Sequence, residues 1–375
     1  MAHKKLSGAG LRGQSAGSTA LCTVGKTGTG LSYRGYDITE LAAKAQFEEV
    51  AHLLLKGHLP SQGELDAYIS KLVALRSLPE ALKAVLEQIP ADAHPMDVIR
   101  TGCSMLGNLE MEQSFADQQT VTDRMLALFP AIMCYWYRFS HDGVRINTAT
   151  DDTSIGAYFL HLLHDRKPSN LHEQVMHVSL ILYAEHEFNA STFAARVCGS
   201  TLSDMHSCIT AAIGTLRGPL HGGANEAAME MIAKWNTPDE AEAAIMAMLA
   251  RKEKIMGFGH AIYRESDPRS IIIKQWAEKL ADAAGDTKLY PVSVRCEEVM
   301  WREKKLFCNA DFFHAATYNF MGIPTKLFTP IFVMSRLTGW ASHVMEQRQN
   351  NRIIRPSADY IGLDTAHWVD IEDRV

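Results

Sequence analysis

The sequence has 375 residues, of which 47% are hydrophobic and 21% charged. This length and composition support a sizeable buried core and exclude disordered, collagen-like and low-complexity chains. The 37 basic and 43 acidic residues leave a net charge of −6, which argues against a protein that binds nucleic acid through an extensive basic surface.

Cysteine usage and hydropathy indicate a cytoplasmic protein without membrane segments. The seven cysteines are scattered and form no CxxC pair, so a disulfide framework or a cysteine zinc site is not expected. The longest apolar run, 125–137, contains Pro130 and is too short to span a bilayer. The N-terminus is basic but has no apolar stretch of the kind that secretory signals contain.

The first predicted element is a short β-hairpin. Residues 20–24 and 31–35 flank the glycine-rich stretch GKTGTG, which is typical of a tight turn. The GKT within it invites comparison with a phosphate-binding loop. That motif requires a glycine five residues before Gly25, where this chain has Ala20. The hairpin interpretation is therefore favoured.

Beyond Asp37 the apolar residues recur at helical spacing, starting with a helix predicted over 38–60. Further segments begin near Gln62, Pro79, Pro95, Asp117, Ser154 and Leu171, and continue as 203–216, 222–235, 238–251, 268–280, 292–305, 311–321 and 330–349. No repeat period is visible, which argues against a helical solenoid. The predicted class is all-α with a minor strand element.

Glycines surround His221 in the sequence RGPLHGGANE, immediately before a predicted helix. A helix N-terminus disfavours a charged imidazole, and a neutral histidine can donate a hydrogen bond to a carbonyl oxygen that gains charge. The alternative is a buried histidine that caps a turn.

His260 comes directly after a second glycine loop in the sequence GFGH, and Arg264 and Arg269 follow it around an Asp-Pro turn. Arginines beside such a loop suit the bidentate binding of carboxylate or phosphate. A solvated loop with a surface histidine would account for the charges but explains the glycines poorly.

Asp311 lies among phenylalanines at a predicted helix start. Burial raises the pKa of a carboxyl whereas a helix N-terminus lowers it, so the direction of its pKa shift stays open at this level. A general base and a simple helix cap both remain possible roles for Asp311.

These stretches occur in a fixed order that resembles the citrate synthase family along nearly the whole chain. The motifs are HEFNAST (186–192), GPLHGGANE (218–226), GFGHAIYRESDPR (257–269), NADFF (309–313), MSRLTGW (334–340) and IIRPSADYIG (353–362). Further stretches, including TALCTVGKTG, HPMDVIRTG and EQRQNNRIIRPSA, are similar to the 2-methylcitrate synthase branch. The resemblance implies a large helical domain (1–222 and 323–375) and a smaller mobile helical domain (223–322).

The resemblance also implies a condensation of an acyl-CoA with oxaloacetate. Asp311 would remove a proton from the α-carbon of the thioester, and His221 would donate a hydrogen bond to the thioester oxygen. His260 would donate to the ketone oxygen of oxaloacetate as the C–C bond forms. The donor implied by the branch is propionyl-CoA, with weaker activity on acetyl-CoA.

Binding residues are implied in the same way. The oxaloacetate ligands would be His186, Arg269, Arg336, Arg355 and, by a looser match, Arg76. Taken singly, Arg336 and Arg355 could instead be surface arginines. The residue matching Arg355 reaches the partner's site in this family, which implies a homodimer with shared active sites.

Coenzyme A would be bound by the second glycine loop and two neighbouring cations. The residues implied are Lys254, Ile255, Met256, Gly257, Phe258, Arg264 and Lys305. Tyr183 and Ala310 are expected to line the acyl pocket. No cofactor is expected, since the thioester is a substrate. The histidines of 161–177 lack accompanying ligands, so no metal site is expected.

Two other functions compete with this interpretation. An ordinary citrate synthase would prefer acetyl-CoA. A non-catalytic helical interaction scaffold would show repeats and apolar grooves rather than glycine-flanked histidines with dispersed arginines.

Overall fold

The structure is a computed structural model that describes residue 11, residues 14–25 and residues 30–374 of the chain. Within this part, sixteen α-helices form most of the protein, and the strands belong to a single three-stranded sheet. The predicted all-α class with a minor strand element is confirmed. The strands are β1 (Cys22–Val24), β2 (Leu31–Tyr33) and β3 (Tyr36–Asp37).

The predicted hairpin is confirmed and extended by one strand. Strands β1 and β2 pair antiparallel, and the Gly25 N–H donates to the Gly30 carbonyl at 2.7 Å. Residues 26–29 of the predicted turn lie outside the described residues. Strand β3 follows because Arg34 and Gly35 both have positive φ, 46° and 90°, which is the conformation that a two-residue hairpin turn requires.

The helices follow the sequence signals closely in position. They are α1 (Ile38–Lys44), α2 (Phe47–Lys56), α3 (Gln62–Ala74), α4 (Glu80–Glu87), α5 (Pro95–Leu109), α6 (Gln118–Asp142), α7 (Ile155–His164), α8 (Asn170–Tyr183), α9 (Ala190–Ser200), α10 (Met205–Leu216), α11 (Ala224–Ile232), α12 (Pro238–Ala250), α13 (Pro268–Ala284), α14 (Leu289–Lys304), α15 (Ala310–Phe320) and α16 (Phe328–Gln349). Proline occupies the first turn of α5, α12 and α13, where its missing N–H costs nothing.

The sequence prediction of the helices was wrong at two places. The single helix expected over 38–60 is two helices, because the chain is extended at Ala45 and Gln46 begins a new capping box with Glu49. Helix α9 has no counterpart among the predicted segments. Its N-cap is Asn189, whose side chain accepts from the Thr192 N–H.

Helix α16 forms the centre of the larger group of helices. Nearly every residue from Phe328 to Met345 is buried, and the helix packs against α2, α5, α6, α8, α9 and α10. Polar residues on α16 are therefore surrounded by protein. Such groups need protein partners, because burial without a hydrogen bond costs free energy.

Helices α11–α15 pack mainly on one another, with α13 and α11 against α15 and α12 against α14. These five helices fall within the segment 223–322 that the sequence assigns to a separate domain, and that domain boundary stays a prediction. No helix among the described residues is long and apolar enough to cross a membrane.

Candidate active site

A cavity of about 610 Å³ lies where the two groups of helices meet. Its walls come from the segment before α9, the loop before α11, the glycine loop 254–260 and the start of α15. It brings together thirteen of the sequence-predicted residues. These are Tyr183, His186, His221, Lys254, Ile255, Met256, Gly257, Phe258, His260, Ala310 and Asp311, to which α13 and α16 add Arg269 and Arg336.

Backbone pairing between two distant loops places His260 close to Asp311. The Gly259 N–H donates to the Phe307 carbonyl at 2.8 Å, and the Asn309 N–H donates to the Gly257 carbonyl at 2.9 Å. Gly257 has φ of +88°, and a side chain there would meet Phe312 at 2.7 Å. Only glycine fits both conditions.

The Asp311 carboxylate lies in the first turn of α15. The Asn309 side chain caps this helix by accepting from the Asp311 N–H. The Tyr183 hydroxyl donates to Asp311 Oδ1 at 2.7 Å. Burial raises the pKa of Asp311, and the Tyr183 hydrogen bond and Arg269 only partly offset this rise. Asn309 is therefore the cap, and Asp311 is a carboxyl with increased basicity.

His260 is held as a neutral donor. Its Nδ1 faces the backbone N–H groups of Ile262 and Tyr263 at 3.1 and 3.3 Å. Because a backbone N–H can only donate, Nδ1 is the acceptor and the proton lies on Nε2. Burial lowers the pKa of His260 to about 4; Arg269 adds to this effect and Asp267 opposes it.

His221 is neutral with the opposite tautomer. The Ser191 N–H donates to His221 Nε2 at 3.3 Å, which leaves the ring proton on Nδ1. The Ser191 hydroxyl also contacts Nε2 at 2.8 Å and accepts from Trp340 Nε1 at 3.1 Å. Burial, helped by Arg336, lowers the pKa of His221 to about 4.

Two arginines and one histidine supply hydrogen-bond donors to the cavity. Arg269 Nε and Nη2 both bond to Asp267, at 3.0 and 2.8 Å, so the arginine is fixed side-on. Arg336 Nε donates to the Tyr183 carbonyl at 2.6 Å. His186 Nε2 contacts the Tyr263 hydroxyl at 3.2 Å, and burial together with Arg269 holds the pKa of His186 well below its usual range.

The predicted acyl-pocket residues lie beside the base. The Tyr183 ring lies between the rings of His314 and Phe332, at 4.2 and 4.3 Å between centroids. Ala310 is buried and its N–H donates to Asp267. The Tyr183 hydroxyl is thus held in one orientation toward Asp311.

Arg76, which the sequence predicts as an oxaloacetate ligand, does not line this cavity. Arg76 is buried elsewhere, with Nη1 donating to the Asp152 carbonyl at 2.5 Å and its guanidinium 3.9 Å from the Tyr158 ring centroid. A buried cation held by a carbonyl and an aromatic face indicates a packing role. The sequence context of Arg76 carried no signal for this environment.

Three other predicted residues lie outside the cavity wall. Arg264 and Lys305 are exposed, and Lys305 ends helix α14 in a left-handed conformation. Arg355 is exposed on the extended segment that follows α16.

Several residues that shape the site were not among the predicted ones. Asp267 caps α13 and joins Arg269 to the start of α15. Its position before Pro268 is a cap signal that could have identified it. Tyr263, Ser191 and Trp340 act through contacts between distant segments, so their sequence neighbours give no equivalent signal.

Several histidines outside this cavity have structural partners. His161 bonds to Asp152 at 2.7 Å, and His177 accepts from the Phe47 N–H at 3.1 Å. One group in the described part, His52, His58 and Glu64, has potential ligand atoms within 4.8 Å of one another. Glu64 there completes the capping box of α3 with Ser61 and bonds to His58.

The sequence is similar to known proteins along nearly its full length. The family described as citrate synthase, C-terminal domain, matches residues 10–357. A 2-methylcitrate synthase of Shewanella oneidensis is 70% identical over 371 residues, covering 99% of both chains. Citrate synthase 2 of Bacillus subtilis is 41% identical over 348 residues, covering 92% of this chain and 93% of that one.

Solved structures show the same architecture. The ternary complex of carboxymethyl coenzyme A and oxaloacetate with citrate synthase from Thermoplasma acidophilum matches with a TM-score of 0.91 and 32% identity. It covers 97% of this chain and 98% of that one. The Thermotoga maritima citrate synthase matches with a TM-score of 0.86 and 33% identity, over 97% and 98% of the two chains. The fold expected from the sequence motifs is confirmed.

Proposed function

Because the chain belongs to the citrate synthase family, we propose that it condenses propionyl-CoA with oxaloacetate and water to give 2-methylcitrate and CoA. The observation that carries this proposal is the cavity where the Asp311 carboxylate meets neutral His221 and His260 beside buried arginines. The 70% identity to a 2-methylcitrate synthase supports propionyl-CoA as the donor. Such an enzyme would act in propionate catabolism.

Enolisation is the first step. The Asp311 carboxylate takes the α-proton of the thioester, and its raised pKa makes it a stronger base than an ordinary aspartate. The thioester oxygen gains charge as the proton leaves. His221 donates from Nδ1, since its Nε2 is occupied by the Ser191 N–H.

Condensation follows. The enol carbon attacks the ketone carbon of oxaloacetate, and the ketone oxygen takes a hydrogen bond and then a proton from His260 Nε2, which regains a proton from water before the next turnover. Water hydrolyses the resulting thioester and releases CoA. This chemistry needs no resident cofactor, because the thioester is itself a substrate.

The carboxylates of oxaloacetate would bind His186, Arg269 and Arg336. Arg269 and Arg336 each use Nε for a protein contact, which leaves part of the guanidinium edge for a planar, bidentate contact with carboxylate.

Coenzyme A would extend along the glycine loop. Residues 254–258 line the cavity, and the exposed Arg264 and Lys305 would meet phosphates. In the acyl pocket, Tyr183 and the small Ala310 would leave room for the methyl group of propionyl. One methylene is worth only about 1–3 kcal/mol of discrimination.

We also propose a homodimer with shared sites. Arg355 lies on an exposed segment with apolar side chains that a single chain does not cover, including Tyr360 (80% exposed), Ile361 (96%) and Trp368 (82%). Docking of this segment on a second copy would bury these side chains and bring Arg355 to the partner's cavity. We expect this assembly in the cytoplasm.

The segment 223–322 would close over oxaloacetate before acyl-CoA binds productively. It carries His260, Arg269 and Asp311, whereas His186 and Arg336 lie outside it. Closure would assemble the site and exclude water. Small-angle scattering should show a more compact particle with oxaloacetate, and identical profiles would contradict this motion.

The deciding experiment measures oxaloacetate-dependent release of the CoA thiol from propionyl-CoA and acetyl-CoA. We expect a higher kcat/KM for propionyl-CoA. A clear acetyl preference would favour ordinary citrate synthase, a function that the 41% identity to a citrate synthase keeps as the second candidate. Absence of thiol release from either donor would reject both.

A further inference from the structure

A buried polar cluster lies beneath the dicarboxylate-binding residues, and none of the proposed chemical steps uses it. Its centre is Glu185, whose side chain is fully buried. Glu185 Oε1 accepts from His343 Nε2 at 2.8 Å and from the Glu187 N–H at 2.6 Å. Arg196 Nη1 in turn contacts His343 Nδ1 at 2.8 Å.

The hydrogen bonds of this cluster have a fixed direction. A guanidinium can only donate, so His343 Nδ1 is the acceptor and its proton lies on Nε2, facing Glu185. Arg196 is itself paired with Glu346 at 2.7 Å. Arg196 on α9 therefore orients His343 on α16, and His343 Nε2 donates its hydrogen bond to Glu185.

Glu185 joins the two segments that carry oxaloacetate ligands. It directly precedes His186, and it fixes the N–H of Glu187, a residue with φ of 56°. Its other oxygen, Oε2, packs so closely against Gly339 that a side chain there would overlap it. Gly339 lies one helical turn after Arg336 on α16.

Oε2 has no hydrogen-bond partner among the described residues, and a buried, unpaired carboxylate oxygen requires an explanation. The charge of Glu185 acts on Arg336: burial lowers the pKa of Arg336, and Glu185 is the largest influence that raises it. Because Arg336 and Glu185 form no ion pair in the described part of the chain, and Arg336 uses Nε for its contact with Tyr183, the outer nitrogens of Arg336 stay available to a ligand.

We propose that Glu185 is a positioning residue that aligns His186 and Arg336 for oxaloacetate, through the Glu187 N–H on one side and the Gly339 turn of α16 on the other. This inference rests on the proposed function and goes beyond it, since Glu185 itself does not line the cavity. It predicts that oxaloacetate binding depends on a charge that never touches the substrate.

The test is Glu185→Gln, which keeps the size of the side chain but places a neutral amide near Arg336. We expect the KM for oxaloacetate to rise about tenfold or more, since a buried hydrogen bond to a charged group is altered. The KM for propionyl-CoA should change less than twofold. His343→Phe, which removes the donor to Glu185, should move the KM for oxaloacetate in the same direction.

The matched control is Asp123→Asn. Asp123 is also a fully buried carboxylate, bonded to Tyr68 at 3.1 Å and Lys71 at 2.7 Å, and it lies outside the cavity wall. This variant should lose stability but keep the KM for oxaloacetate. The positioning role is refuted if Glu185→Gln, like Asp123→Asn, loses stability but keeps the KM for oxaloacetate. It is also refuted if kcat and the KM values for both substrates fall together.

A binding measurement covers the case in which Glu185→Gln folds poorly. Oxaloacetate should raise the melting temperature of the wild-type protein, because a ligand that binds only the folded state stabilises it. The rise should be largely lost in Glu185→Gln; an undiminished rise would overturn the inference. A wild-type protein without thiol release would reject the proposed function instead.

Discussion

The hydroxyl of Tyr183 donates a 2.7 Å hydrogen bond to Oδ1 of Asp311, although 128 residues separate them. Tyr183 ends helix α8 and Asp311 lies in the first turn of helix α15, so this contact links the two groups of helices at the proposed base. The hydrogen bond favours the charged carboxylate and opposes the effect of burial on its pKa.

Replacing Tyr183 with phenylalanine should therefore raise the pKa of Asp311 further. The proposed base works only when ionised, so the acid limb of kcat/KM should move to higher pH in Tyr183→Phe. The pH–rate profile with propionyl-CoA measures this shift. A profile that coincides with that of the wild type would show that the hydroxyl does not tune Asp311.

Asp311→Asn removes the proposed base while preserving the shape of the side chain. A positioned base contributes about 10²–10⁴-fold in rate, so oxaloacetate-dependent thiol release should fall by at least about a hundredfold. Circular dichroism should show an unchanged helical content. Full activity in a folded Asp311→Asn protein would reject the proposed enolisation.

The buried histidines predict a specific loss of stability in acid. Burial lowers the folded-state pKa of His221 to about 4, below the unfolded value near 6.5. The unfolded chain then binds more protons, so the free energy of unfolding should fall as the pH drops from about 6.5 toward 4. One such group contributes roughly 1–2 kcal/mol by pH 5.

Urea unfolding at pH 7 and pH 5 tests this, with His221→Gln expected to weaken the pH dependence. His367→Gln, at an exposed histidine, is the control and should keep it. Equal pH dependence in wild type and His221→Gln would contradict the proposed linkage.

Gly257→Ala should disturb the glycine loop in two ways, through backbone strain and through overlap with a neighbouring side chain. Its φ is +88°, and an added Cβ would meet Phe312 at 2.7 Å. We expect a loss of about 2 kcal/mol or more, from both strain and overlap, together with a higher KM for acyl-CoA. Gly285→Ala has positive φ but nothing within 4 Å, so it should lose only about 1 kcal/mol. Thermal unfolding and initial rates distinguish the two effects.

Shared active sites predict complementation between two inactive variants. In a mixed dimer of Asp311→Asn and Arg355→Leu subunits, one site would carry both changes and the other would carry neither. Activity should therefore reappear on co-refolding, up to about a quarter of the wild-type value for random pairing of closed dimers. Recovery should be absent if each site is built from one chain.

The sequence by itself determined the helical class, most helix starts and the motifs that contain the reacting groups. These are local properties, since a proline or cap residue and an apolar period act within a few residues of one another. The two errors concern equally local signals that are easy to overlook: the capping box of Gln46 and Glu49 marks the break after Ala45, and Asn189 caps helix α9.

Only the tertiary structure decided the chemistry of those groups. The direction of the Asp311 pKa shift was open in the sequence, and burial decided it. The tautomers of His221 and His260 follow from backbone N–H groups that the fold brings to one ring nitrogen of each. Arg76 lies outside the cavity, in contact with Asp152 and Tyr158. Desolvation and hydrogen-bond direction depend on contacts between distant segments, which no local pattern specifies.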